Sequence, residues 1–352
     1  MTRQQKNWYS KVKNRLHLDE KCSKNKAEYI VQTENISEHK FFPFIHFQIK
    51  QFKLSNKLEQ REKELSVMDP YKKRDIYYAG HLDSYIYSYY NEKLLEYYEK
   101  FLQGNSLLCS IAYRHIDKNN RGAGKSNIDF AAEAFQEIKK RKECYAIGLD
   151  IHSFFDELDH IILYENLCKL TNQSRLPDDL YQIYKILTNF HFIELDELLG
   201  NKHIKADKSD FWNKETHSFK KICSPNVFRT ILLENKGIIK KNPNGTKGIP
   251  QGTNLSGTLA NIYMLDFDIA IQNFVNKTKG YYRRYSDDIL ILVNTKEEVD
   301  SLLILVENEL NNLKLELSKH KTICCHFKNN NCVFFNTPEM TESEDADVGM
   351  DL

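Results

Sequence analysis

Three acidic residues stand where a carboxylate is costly unless something neutralises it. Asp150 closes the apolar run CYAIGLDI (144–151), which reads as a buried strand. An ionised side chain at the end of such a strand needs a paired group or a cation. Asp287 and Asp288 lie where two strand-like runs meet, GYYRRY (280–285) and ILILV (289–293). Both runs are apolar enough to be central, so their turn should face a cleft. Three carboxylates brought to one place repel one another unless divalent cations sit between them. Mg²⁺ is the natural candidate, because one or two carboxylates hold it while substrate phosphates complete its octahedron. The chemistry indicated is metal-assisted transfer at phosphorus.

The elements that must position these acids follow from periodicity. Residues 127–140, 161–170, 180–189, 255–274 and 297–313 have helical spacing, as do the tyrosine-rich stretches 75–90 and 94–101, whose rings read as half-buried packing. Strands are expected at 109–114 (CSIAYR) and at 333–335, and the aromatic run 41–53 (FFPFIHFQIKQFK) reads as an edge strand or core anchor. Residues 1–40 are polar and basic and read as an arm or short helix.

The formal net charge of +1 is a cancellation. Residues 338–352 carry six acids and no base, whereas 201–247 carry eleven bases against four acids. Segregated positive charge calls for a polyanionic partner, with Lys202, Lys205, Lys220 and Lys221 as candidate nucleic-acid contacts. At 41% hydrophobic residues the chain can bury a sizeable core. No apolar run approaches the ~20 residues of a membrane span, and no secretory signal opens the sequence. Eight cysteines without regular spacing fit a reducing cytoplasm; Cys324, Cys325, His326 and Cys332 lack a Cys-x-x-Cys knuckle for zinc.

Taken in order, Asp150-Ile-His-Ser-Phe-Phe-Asp156 resembles motif A of reverse transcriptases, Gly248-Ile-Pro-Gln-Gly252 resembles motif B, and Tyr285-Ser-Asp-Asp288 resembles the Tyr-x-Asp-Asp box of motif C. Upstream, Lys72-Lys-Arg-Asp-Ile and Ala112-Tyr-Arg114 are similar to the basic fingers segments. Downstream, Leu315-Glu-Leu-Ser-Lys-His-Lys-Thr322 is similar to the motif D lysine segment. The likeness covers roughly residues 70–335, and its tone is that of bacterial retron, abortive-infection and defence-associated enzymes.

The resemblance implies an α+β fold of right-hand fingers and palm, with an antiparallel palm sheet packed on helices. It implies a basic extension at 1–65, fingers at 66–145, a palm at 146–335 with a Lys-rich insertion at about 195–247, and an acidic disordered tail at 336–352. It further implies a cytoplasmic bacterial RNA-directed DNA polymerase in antiviral defence. Asp150, Asp287 and Asp288 would hold two Mg²⁺ ions, with Mn²⁺ as a substitute, about 3.5 to 4 Å apart. Phe155 would lie beneath the sugar and exclude a 2′-hydroxyl. Gln251 and Gly252 would open the motif B helix beside the incoming dNTP, with Gly252 allowing close backbone approach. Lys73, Arg74 and Arg114 would clamp the triphosphate. Lys321, or Lys319, would be the general acid toward pyrophosphate. The partners implied are dNTPs, an RNA template such as a dedicated non-coding RNA, the DNA product, and no membrane.

Three departures open other readings. Thr253-Asn-Leu-Ser-Gly257 replaces the usual Ala-Pro-Thr-Ser-Pro, and Ser256-Gly257-Thr258 with Asn261 is similar to motif B of RNA-dependent RNA polymerases. The segment between motifs A and B is long. Only about fifteen residues follow 333–335, so a thumb is expected to be absent or minimal, with a partner protein or homo-oligomer in its place. Template-independent or protein-primed DNA synthesis is therefore an alternative, as is a non-catalytic RNA-binding palm. The P-loop-like Asn119-Asn-Arg-Gly-Ala-Gly-Lys-Ser126 lacks its first glycine.

Overall fold

The computed structural model describes residues 8–32, 36, 38–52, 71–118, 123–318, 321–329 and 331–335. The expected acidic tail, Lys319, residues 119–122 and the side chain of Lys72 lie outside them. The elements begin with α1 (Lys24–Ile30), β1 (Phe44–Phe52), β2 (Tyr71–Tyr78), α2 (His81–Gly104), α3 (Asn127–Arg141), β3 (Glu143–Asp150), α4 (Phe154–Glu157) and α5 (His160–Thr171). There follow α6 (Asp178–Thr188), β4 (His191–Glu194), α7 (Leu195–Leu199), β5 (Trp212–Asn213), β6 (Ser218–Phe219), α8 (Pro225–Glu234) and β7 (Lys240–Lys241). The last are α9 (Ser256–Tyr263), α10 (Leu265–Lys277), β8 (Tyr281–Tyr285), β9 (Asp288–Val293), α11 (Lys296–Asn312), β10 (Ile323–Lys328) and β11 (Asn331–Phe334). The fold is α+β and divides into two compact units.

The first unit comprises Met1–Glu92, Pro177–Gly245 and Ile249–Ser256. Its main sheet has the order β2-β1-β4-β7. The aromatic run expected at an edge is thus an inner strand, because β1 pairs with β2 on one side and with β4 on the other. Residues 75–78, expected to be helical, belong to β2, where Asp75 pairs with Gln48 and Tyr78 with Ile45. Helix α2 starts only at His81. Its first amides are capped by Asp19, whose carboxylate accepts from His81 N at 2.9 Å and Leu82 N at 3.0 Å. A cap supplied from so far upstream cannot be read from local spacing. The N-terminal segment is more than an arm, since Leu16 and Leu18 join Ile45, Tyr78 and Ile193 in one core cluster. Ile222, Ile231 and Ile238 of the basic segment join it too, so that segment carries its own share of core. Tyr85, Tyr87 and Tyr90 are fully buried, deeper than the half-buried packing expected.

The second unit comprises Lys93–Leu176, Thr246–Gly248 and Gly257–Leu352. Its sheet, β11-β10-β3-β9-β8, is antiparallel throughout. Strand alternation gives it two unlike faces. Ile147, Leu149, Ile289 and Ile291 are buried on the face toward α10 and α11, each contributing roughly 1.5–3 kcal/mol by leaving water. The opposite face carries Asp150, Gly148 and Ala146, with Ile138 of α3 packed against Ala146 and Leu292 at one end. Residues 109–114, expected to be a strand, form only a single parallel bridge from Ser110 to Arg284. The chain then turns through Tyr113, whose φ of 58° is incompatible with a ladder. The helical stretch 255–274 is two helices rather than one, broken at Met264.

Candidate active site

Strand β3 delivers Asp150 to the end of the sheet, and strand register does the rest. Asp150 pairs with Asp288 across β3 and β9, and Asp288 pairs with Tyr285 across the β8–β9 hairpin. The turn between them is fixed to the end of β3 by Ile151 N, which donates to Asp287 O at 3.2 Å. Asp288 is exposed and Asp287 half-buried.

The segment after α11 is laced onto the same strand end. Ser318 N donates to Asp150 O at 2.8 Å, His152 N to Glu316 O at 2.8 Å, and Leu317 bridges Ile151. That lacing places Lys321 Nζ 2.6 Å from Asp150 Oδ1. The structure therefore brings Asp150, Asp288 and Lys321 together, as lining of one cleft of about 590 Å³ that also includes Arg283, Gly148 and Phe130 of α3.

Among the described residues no three His, Cys, Asp or Glu side chains already stand in a metal-ligating cluster. The donor set is nonetheless the right kind for Mg²⁺. Asp150 and Asp288 on paired strands would hold Mg²⁺ through hard carboxylate oxygens, with substrate phosphates as its further ligands. The ammonium of Lys321 neutralises Asp150 from 2.6 Å.

Phe155 sits on α4, half-buried, its ring edge-on to the buried Phe154 at 5.7 Å. Arg114 is already committed: its guanidinium donates to both oxygens of Glu99, at 2.7 and 2.6 Å, and to the Ser110 carbonyl. Ser126 of the P-loop-like segment is the N-cap of α3, in a capping box with Asp129.

Lys73, Arg74, Gln251 and Gly252 belong to the first unit. Lys73 and Arg74 are exposed on β2. Gln251 accepts from Tyr77 N at 2.8 Å. Gly252 has a φ of 125°, and a Cβ there would lie 2.7 Å from the Tyr77 carbonyl, so no other residue fits without shifting the strand. The same φ keeps Gln251 and Gly252 out of the helix they were expected to open; α9 begins at Ser256. Of the insertion lysines, Lys202 pairs with Glu234 at 3.0 Å, while Lys205, Lys220 and Lys221 are exposed.

One buried network was not foreseen. Arg284 and Asp268 are both fully buried and joined by two hydrogen bonds of 2.8 and 2.6 Å. Arg284 Nη1 also donates to Asn261 Oδ1 and to the Ser286 carbonyl, each at 3.1 Å, and Tyr282 donates to Asp268 at 2.6 Å. Burial acts to lower the Arg284 pKa, but Asp268 holds it well above the ordinary value, so the guanidinium stays charged. The signal was a basic residue on the inward-facing side of an alternating strand.

Residues 107–342 match the family described as Reverse transcriptase (RNA-dependent DNA polymerase). The chain is a member of the reverse transcriptase family. The antiparallel sheet bearing Asp150 and the Tyr285-Ser-Asp-Asp288 hairpin lies within the matched residues. Among solved structures it is similar to apo telomerase from Candida tropicalis truncated from its C-terminal domain, at 11% identity and a TM-score of 0.43, covering 75% of this chain and 52% of that one. It is also similar to telomerase from Candida albicans in complex with a TWJ fragment of telomeric RNA, at 14% identity and a TM-score of 0.44, covering 92% of this chain and 46% of that one. The chain thus spans about half the length of these structures. No curated protein matches it. No helix among the described residues is long and apolar enough to cross a membrane.

Proposed function

We propose that this reverse transcriptase extends a 3′-hydroxyl with dNTPs on an RNA template, using two Mg²⁺ ions held by Asp150, Asp287 and Asp288, and that it serves bacterial antiviral defence in the manner of retron and abortive-infection enzymes. The observation that carries the chemistry is the register pairing of Asp150 with Asp288, beside a turn pinned to the end of β3. When bound, the ions supply the Lewis acidity for attack by the 3′-hydroxyl and for departure of pyrophosphate. Asp150 and Asp288 supply the carboxylates on adjoining strands, and Asp287 supplies the third from the turn. Lys321, freed from Asp150, donates its proton to the departing pyrophosphate. Lys73 and Arg74 contact the triphosphate, and the exposed Lys205, Lys220 and Lys221 contact backbone phosphates. The defence role rests on the likeness of motifs A to D to those bacterial enzymes.

The test is primer extension by the purified protein on a primed RNA template with Mg²⁺ and labelled dNTPs. RNA-dependent product is expected, and it should vanish when the template is digested beforehand. No incorporation with either Mg²⁺ or Mn²⁺ would overturn the reading, and product that survives template digestion would overturn its templated form.

Phe155 tests the sugar preference. Phe155→Val removes the ring on α4, and relative use of ribonucleotides over deoxynucleotides should rise about 10- to 100-fold, the range over which an apolar pocket rejects an added hydroxyl. Selectivity unmoved in competition assays would make the ring a packing residue of α4.

A further inference from the structure

Tyr113 combines three properties that packing alone does not explain. Its backbone is left-handed, with a φ of 58° that is uncommon for a bulky residue. Its hydroxyl donates to Ser286 Oγ at 3.3 Å, on the residue that precedes Asp287 and is itself left-handed at φ 61°. And its side chain remains exposed, at 46%, beside the catalytic turn.

The position is imposed from every side. Ile111 N donates to Arg284 O at 3.0 Å, Asn261 Nδ2 donates to Ala112 O at 2.9 Å, and the next residue, Arg114, is anchored on Glu99. The ring lies against Gly257, where a Cβ would come within 2.5 Å of it. Its centroid is 6.5 Å from that of Tyr285, at a tilt of 39°. A ring needed only to fill space would be covered; this one is backed on one face by Gly257, fixed by its hydroxyl, and still presents surface. Strain held in place by surrounding contacts at a reactive centre is a mark of function.

We propose that Tyr113 is a stacking platform for a nucleobase of the bound primer–template at the catalytic turn, an inference that rests on the polymerase reading above. An aromatic face accepts any base, and its hydrogen bond to Ser286 ties the stacked base to the turn that carries Asp287 and Asp288. Specificity for sequence is not implied, because every base has a π-face.

The test uses the full chain in two measurements. In steady-state primer extension, Tyr113→Ala should raise KM for primer–template roughly 10-fold with little change in KM for dNTP. Tyr113→Phe, which keeps the ring, should restore most of that loss. Without nucleotide, a 2-aminopurine at the primer terminus or at the facing template position should be quenched on binding the wild-type protein and less so on binding Tyr113→Ala. If the wild-type protein makes no DNA, the polymerase reading fails. If it does, and Tyr113→Ala matches it in KM for primer–template, or Tyr113→Phe is as impaired as Tyr113→Ala, the stacking inference fails. A rise confined to KM for dNTP also overturns it.

Discussion

Asp150→Asn and Asp287→Asn should each reduce DNA synthesis by about 10³-fold or more while leaving the fold intact. The size follows from the several kcal/mol of charge stabilisation that metal-assisted transfer requires, at about 1.4 kcal/mol per factor of ten. The amide keeps the volume of the carboxylate and removes its charge, so an ion held by two or three acids loses a principal ligand. Little stability should be lost with it. Lys321 is 44% exposed in its pair with Asp150, and such pairs contribute no more than about 1 kcal/mol. The backbone bonds at that strand end, from Ser318 N and Ile151 N, do not involve the side chains. Primer extension together with thermal unfolding checks this, and retained synthesis at an unchanged melting temperature would refute the site assignment. On the defence reading, the same variants should abolish protection of the host from phage.

Arg284→Met should destabilise the fold by about 3–5 kcal/mol, because it leaves Asp268 buried and uncompensated. The more informative variant is Arg284→Met with Asp268→Leu. Removing both charges removes the desolvation problem, and apolar replacements of buried pairs are often near neutral, so much of the stability should return. Activity should not return with it. Arg284 also holds the Ser286 carbonyl and Asn261, and Asn261 holds Ala112, so the double variant still lacks the cross-brace between the β8–β9 turn, α9 and the Tyr113 turn. Urea unfolding and kcat measured on both variants separate the two effects. Full recovery of kcat in the double variant would reduce the network to a packing device.

Why some of this was legible in the sequence, and some not, is a matter of range. Asp150, Asp288 and the hairpin around them were readable because strand alternation and an apolar flank are local signals, and the observed register follows from them. The motif B segment was readable as a motif but not in its conformation, since the φ of Gly252 answers to the carbonyl of Tyr77, far off in the chain. Local spacing starts helix α2 too early because its cap comes from Asp19. The segment 109–114 is no strand for a related reason: it is held by the two backbone bonds of one bridge to Arg284 and one bond from Asn261 rather than by a ladder. Arg114 is a triphosphate contact by resemblance, and its pair with Glu99 of α2 is visible only in the fold.

The pairing of Lys321 with Asp150 has a consequence for the order of events. The lysine is an internal counterion on a short tether, laced to the strand whose acid it neutralises, and a tethered group competes through effective concentration rather than affinity. A bare metal ion held by Asp150 would have to displace Lys321 from it. With an ion carried on a triphosphate, Lys321 would have a second anion to move to. On the two-ion reading proposed above, the site would therefore be biased toward receiving cation and nucleotide as one species, and the lysine proposed as proton donor would be released by the arrival of the substrate it would serve.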